Sequence, residues 1–284
     1  ALFNAAVNYT RGKDAQRALV AFGDLYNRQG NSPLAPRALF SIGELFRNIA
    51  IYSEAARNYE LYVANHQKHK YVEKALRHAS TFRRALGDYD LAIANYKKYL
   101  ALFPDSESAA SVQFDVGLIY EEQEKWRDVE KHFKRFLKKR AKKGEVNSLT
   151  LGANLKIGLA LWNTRRKKKA VAKFQDVVSM FEKRPKDAKP LEAFGISFVA
   201  EALFMLGENT LDKARAIKLT PRNLNKAFTS KLKLIDEAKT NFKAVISLNQ
   251  PNWIVAGLSR VGLAYEDLVR TMENAPAPRG LSDE

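Results

Sequence analysis

The chain of 284 residues contains no cysteine. Disulfides, thiolate nucleophiles and cysteine-ligated zinc are therefore excluded. The compartment stays open, because reducing and oxidising surroundings both tolerate such a chain. No apolar run approaches the ~18 residues that a membrane-crossing helix needs. Glycine (14) and proline (9) are too sparse for a collagen-like or low-complexity chain. Histidine is scarce as well: only His66, His69, His78 and His132 occur. His66 and His69 are spaced to share a helical face, but no nearby carboxylate completes a catalytic zinc site. There is no phosphate-cradling loop, no glycine-rich dinucleotide turn and no Gly-x-Ser-x-Gly elbow. Glu121 and Glu122 are adjacent, so they point to different helix faces. No catalytic constellation is visible, and neither a cofactor nor a metal is expected.

What is present is apolar material and positive charge. Hydrophobic residues make up 46% and charged residues 28%, enough for a sizeable core. Length alone suggests about two domains. The formal net charge is +17, and it is unevenly placed. Residues 131–189 hold 19 basic and 4 acidic side chains, whereas residues 1–130 hold 17 and 16. Such an asymmetry speaks about partners and steering rather than about fold. The start at Ala1, with no basic or apolar leader, suggests a mature chain or a piece of a longer one.

The chain repeats itself. A small residue inside an apolar patch, followed three positions later by a large one, recurs at Ala6/Tyr9, Gly43/Phe46, Ser80/Arg83, Gly117/Tyr120, Gly158/Leu161, Glu201/Phe204 and Gly262/Tyr265. The first four small positions are separated by 37, 37 and 37 residues, and the later ones by 41, 43 and 61. A second signal follows, a small or branched residue with an aromatic four later: Ala18/Phe22, Ala55/Tyr59, Ala92/Tyr96, Val129/Phe133 and Ala170/Phe174. Spacings of three and four place each set on one helical stripe. Each unit therefore reads as helix, tight turn, helix, with Gly87-Asp88 inside a unit and Asn31-Ser32-Pro33 or Pro104-Asp105-Ser106 between units. Ser106 is expected to cap the helix that follows it. The small residue has a physical reason: helix axes pack about 8–10 Å apart, and a bulky side chain at the crossing would hold them further off.

This pattern resembles the tetratricopeptide repeat (TPR). The carrying residues are Ile42-Gly43-Glu44-Leu45-Phe46, Val116-Gly117-Leu118-Ile119-Tyr120, the turn Gly87-Asp88-Tyr89-Asp90-Leu91-Ala92 and the closing Pro104. The resemblance implies an all-α solenoid, a right-handed superhelix of antiparallel helix pairs with six or seven repeats. They are expected near 1–31, 36–69, 73–105, 110–143, 151–184 and 191–250, with a terminal helix at 252–273 and a disordered tail at 275–284. The whole of 1–274 reads as one solenoid. A spacing of 37 rather than the usual ~34 residues is similar to TPR proteins of bacterial envelopes, which points to a periplasmic or envelope location.

Two departures stand out. In the sixth unit, Phe204 to Ala238 spans 34 residues where nine is the rule, leaving an insertion at about 207–232. It is expected to lengthen both helices or to add a short helix at 209–217, with Thr220 as N-cap and Pro221 opening the next helix. The fifth unit replaces the usual aromatic of the turn by Arg165-Arg166-Lys167-Lys168-Lys169. With Lys134, Arg135, Lys138, Lys139, Lys142 and Lys143, these form a candidate basic patch.

TPR arrays line a concave face with their first helices. Carried over unit by unit, the resemblance offers Arg37, Phe40, Glu44, Arg47, Lys74, Arg77 and Arg84, then Phe114, Leu118, Trp162 and Met205. That groove would run from basic to apolar and suit a peptide with acidic and apolar parts. Leu155, Leu159 and Phe198 read as core between repeats. The lysines and asparagines of carboxylate-clamping TPRs are absent, since Phe40, Ser41, Glu44 and Asp115 hold comparable places. The function expected is a non-enzymatic scaffold binding a protein or peptide partner within a larger envelope assembly. The alternative is an anionic polymer, membrane surface or nucleic acid meeting residues 131–189. Sequence-specific nucleic-acid reading is disfavoured, because no recognised binding motif occurs.

Overall fold

A computed structural model describes residues 1–141, 145–185 and 187–275. These residues fold as α-helices joined by turns, in two compact units that meet in sequence at Gln123 and Glu124. Of the tail expected at 275–284, residues 276–284 lie outside the described residues. In the first unit, α1 (Leu2–Arg11), α2 (Ala15–Arg28), α3 (Ala35–Asn48), α4 (Tyr52–Asn65), α5 (Val72–Ala85), α6 (Tyr89–Leu102) and α7 (Ala109–Glu122) each pack on the next. In the second, the order is α8 (Trp126–Arg140), α9 (Ser148–Asn163), α10 (Lys167–Glu182), α11 (Ala193–Ala216), α12 (Leu224–Ser247) and α13 (Pro251–Glu273). There α11 also packs on α9 and α13. Short connections make sequential helices antiparallel neighbours.

One tight-turn geometry recurs between helices. Lys13 (α1–α2), Ala50 (α3–α4), Gly87 (α5–α6), Arg165 (α9–α10) and Asn249 (α12–α13) take a left-handed backbone conformation, with φ between 53° and 79°, whereas the longer α11–α12 connection has no such residue. In the α3–α4 turn, Ile51 N–H donates to the Phe46 carbonyl at 2.9 Å and Ala50 N–H to that of Arg47 at 3.1 Å. The same two bonds recur from Asp88 to Arg83 and Gly87 to Arg84, and from Arg166 to Leu161 and Arg165 to Trp162. This is the Schellman ending, which satisfies the last carbonyls of a helix and turns the chain back. Glycine meets the requirement at no steric cost only at Gly87. Two helices also have side-chain caps: Asp14 accepts from Arg17 N–H at 3.0 Å, and Asn147 with Thr150 forms a reciprocal capping box on α9.

The small and aromatic signals meet across the helix pairs α3–α4, α9–α10 and α11–α12. A Cβ placed on Gly43 would lie 2.9 Å from the Tyr59 ring, one on Gly158 2.6 Å from Phe174, and one on Gly207 2.6 Å from Phe242. Ala6 and Phe22, and Ser80 and Tyr96, occupy the corresponding positions and are buried. Ser80 is tolerated there because its hydroxyl donates to the Leu76 carbonyl at 2.7 Å. Three local expectations are corrected. In the sixth pair the partner of Phe242 is Gly207, not Glu201, because the helices register on the close contact rather than on the sequence interval. Residues 209–216 continue α11, and α12 begins at Leu224 behind Asn223, whose side-chain oxygen holds Thr220 N–H at 2.7 Å. Ser106 does not cap α7, whose N-cap is Ser108: the Ser106 hydroxyl bonds Glu73 and Tyr99 and accepts from the Ser108 N–H at 3.3 Å, ahead of the helix.

Two substitutions test these constraints. Ala50→Gly relieves a left-handed alanine and should raise unfolding stability by about 0.5–1 kcal/mol. Gly158→Ala gains about 1 kcal/mol of helix propensity but drives a methyl into the fully buried Phe174. Overpacking of about 1–3 kcal/mol should win, lowering the denaturation midpoint in urea.

Candidate functional site

The first helices of the first unit carry the densest set of partly exposed charge. On α3, Glu44 is the hub. It pairs with Arg47 at 3.0 Å and Lys74 at 3.4 Å, faces His78 at 3.8 Å, and accepts from the Tyr59 hydroxyl at 2.6 Å. Burial first, and then the bond to Glu44, hold the Tyr59 hydroxyl far above the ordinary tyrosine range. Burial likewise lowers the His78 imidazole below the ordinary histidine range, outweighing the pull of Glu44. Lys74 also lies over the Phe40 ring at 5.3 Å, and Arg37 over Phe3 at 4.9 Å.

Lys70, in the turn before α5, and Glu73, Lys74, Arg77, His78 and Thr81 on α5 line an open cleft of about 530 Å³. Lys74, Arg77, His78 and Thr81 follow the three-and-four spacing of one helix face. Arg77 is exposed and makes no ion pair among the described residues. Arg84 is committed elsewhere: it donates to Glu122 at 2.6 Å and approaches Asp115 at 3.7 Å. Burial raises the Asp115 carboxyl above the ordinary range despite Arg84 and Arg77. Lys70, His78 and Thr81 were not singled out in the sequence. Their signal was available, because Lys70, Lys74 and His78 are spaced by four.

The remaining groove candidates divide by burial. Phe40 and Phe114 are core residues, which corrects their reading as lining. Phe40 stacks on Tyr71 at 4.6 Å, inside a cluster with Tyr59 and Tyr62. Leu118 on α7 and Met205 on α11 are half-buried. Trp162 is not an exposed anchor: it is half-buried against Phe174 and covered by the Lys167 ammonium at 4.5 Å. Leu155 and Leu159 are buried in α9. Phe198 is half-buried.

The basic patch also divides. Arg166 forks onto Glu130, which binds Lys134 at 2.7 Å as well. Burial works against the Glu130 carboxylate, but the bonds from Arg166 and Lys134 hold it below the ordinary range. Lys167 pairs with Asp212 at 2.7 Å. Arg135, Lys138 and Lys139 on α8, with Arg165, Lys168 and Lys169 at the α9–α10 turn, are exposed without an acidic partner among the described residues. Lys142 and Lys143 lie outside the described residues. No cluster of metal-ligating side chains occurs among the described residues, and no helix there is long and apolar enough to cross a membrane.

Glu73 ties successive pairs together. Its carboxylate accepts from the Ser106 and Tyr99 hydroxyls, both at 2.6 Å, and these bonds lower its pKa below the ordinary glutamate value in spite of burial. A carboxylate of depressed pKa stabilises the fold above its unfolded value, near 4.3, and loses that contribution as the pH falls through the folded one. The stability advantage of the native chain over Glu73→Gln should therefore be full at pH 7 and shrink below about pH 4.3. Paired urea melts across that range measure it.

Residues 75–106 match the family model described as Tetratricopeptide repeat. The α5–α6 pair is thus a tetratricopeptide repeat; α3–α4 and α9–α10 share its left-handed turn and its small-to-aromatic positions. The chain is similar to a crystallised tetratricopeptide repeat protein from Parabacteroides merdae, at 18% identity over 95% of this chain and 97% of that one, with a TM-score of 0.48. It is also similar to MamA from Desulfovibrio magneticus, at 16% identity over 66% and 96% of the two chains, with a TM-score of 0.43. No curated protein sequence matches it.

Proposed function

We propose that this chain is a non-enzymatic scaffold that holds an acidic segment of a protein partner on the first-helix face of its first unit. The observation that carries the reading is the α5 cleft, where Lys70, Lys74 and Arg77 converge. Glu44 shares its charge with Arg47 and Lys74, which leaves Arg77 the cation best placed to pair with a ligand carboxylate. An arginine offers that group a two-pronged match. Arg37 and the exposed edge of α3 would extend the track. The 37-residue spacing of the early repeats favours a place in a bacterial envelope assembly.

A second reading rests on a separate observation. Six exposed cations without acidic partners, Arg135, Lys138, Lys139, Arg165, Lys168 and Lys169, suit an anionic surface such as lipid headgroups or a cell-wall polymer. Like charges so crowded repel within a Debye length of about 8–10 Å, and a polyanion relieves that repulsion.

One pair of variants separates the two. A fluorescent acidic peptide should bind the native chain and weaken at least ~tenfold, about 1.4 kcal/mol, with Lys74→Glu/Arg77→Glu. Lys138→Glu/Lys168→Glu should leave that affinity unchanged. The reverse pattern with anionic vesicles, together with steep loss of binding between ~50 and ~200 mM salt, would favour the second reading. A peptide that binds both variants as it binds the native chain overturns the first.

A further inference from the structure

Among the groups lining the α5 cleft, His78 stands apart from the hydrogen bonds around it. Its ring is half-buried, 5.4 Å from the Tyr59 ring and 6.0 Å from that of Phe82 between centroids. Its Nε2 is closed off from solvent and has no hydrogen-bond partner among the described residues. Glu44 Oε1 stands 3.8 Å from that nitrogen, too far for such a bond. A proton on the ring would turn the approach to Glu44 into an ion pair.

The charges facing the ring come from three helices. Glu44 and Arg47 lie on α3, Lys74 and Arg77 on α5, and the Tyr59 hydroxyl of α4 donates to Glu44. Tyr96 on α6 and Asp115 on α7 act on Arg84 instead. Burial is the first cause that holds the His78 pKa below the ordinary histidine value. Glu44 pulls it up, while Lys74, Arg47 and Arg77 push it down. The proton is therefore opposed in part by Lys74 and Arg77, the same cations that an acidic ligand would engage.

We propose that an acidic segment seated in the α5 cleft loads a proton onto His78, so that the cleft holds its ligand more tightly in mildly acidic surroundings. This rests on the reading that the cleft takes such a segment. A carboxylate on Arg77 and Lys74 neutralises two of the three cations that oppose the imidazolium, and it adds a negative charge to that of Glu44. Both changes raise the pKa of the ring on binding. Nε2 is already closed off from water, so covering the cleft adds little desolvation there. Linkage is reciprocal: a ligand that favours the protonated ring is itself favoured by protonation. Affinity is constant above the bound pKa, climbs as the pH falls from the bound value to the lower free one, and levels off below that.

The probe is an acetylated hexa-aspartate peptide carrying a pH-insensitive dye, whose side chains stay ionised down to about pH 5.5. At constant salt its affinity for the native chain should rise ~fivefold from pH 7.5 to pH 5.5, as a one-unit rise of the His78 pKa on binding requires. Calorimetry near pH 6 in two buffers of different ionisation enthalpy should show net proton uptake. His78→Gln should abolish the uptake and flatten the profile to within ~twofold. The His78 ring resonance of the native chain, titrated without and with saturating peptide, reads the same shift with no variant. An affinity flat with pH in the native chain, a slope that persists in His78→Gln, or a His78 midpoint that does not rise on saturation overturns the inference and leaves the scaffold reading standing. A peptide that binds at no pH overturns both.

Discussion

The repeat depends on a close approach between two helices, and that approach depends on the absence of a side chain. Where Gly43, Gly158 and Gly207 face Tyr59, Phe174 and Phe242, the ring occupies the volume that a Cβ would need. The aromatic then buries its full surface against backbone, which large rings reward strongly. Tyr59, Phe174 and Phe242 are fully buried as a result. Once that contact is set, the antiparallel partner, the turn and the next helix follow with little freedom, because sequential neighbours share one core.

The turn adds a second constraint, and it acts on the backbone rather than on side chains. A left-handed residue follows α1, α3, α5 and α9, yet glycine holds that position only at Gly87. Ala50, Lys13 and Arg165 accept the strain because two backbone bonds close the turn around them. Packing overrides local preference here. It also explains why the basic run at 165–169 can occupy a turn that other units build around an aromatic: the geometry needs no particular side chain at those positions.

Charge is used in two ways. Inside the fold, acids are spent on specific bonds. Glu44 gathers Tyr59, Arg47 and Lys74, Glu73 ties Tyr99 to Ser106, and Glu130 holds Arg166 and Lys134. Outside it, Arg135, Lys138, Lys139, Arg165, Lys168 and Lys169 have no acidic partner among the described residues. The net charge of +17 is therefore a surface property, and it bears on which molecules approach rather than on how the chain folds.

The helix pairs were legible in the sequence, because a 3.6-residue period and a small-to-aromatic code are local and repeat at equal intervals. The absence of catalytic machinery motifs and the concentration of positive charge in 131–189 were legible for the same reason, being properties of composition and spacing. What only the tertiary structure decided is which candidates face solvent. Phe40 and Phe114 looked like lining and became core, and Trp162 lost its exposure to Phe174 and Lys167. Arg84 and Arg166 looked free and found acids 38 and 36 positions away. The sixth pair settled on Gly207 where spacing had indicated Glu201. The deciding contacts of Arg84, Arg166 and Gly207 join residues distant in sequence, and such contacts depend on how helices pack, which no local period encodes.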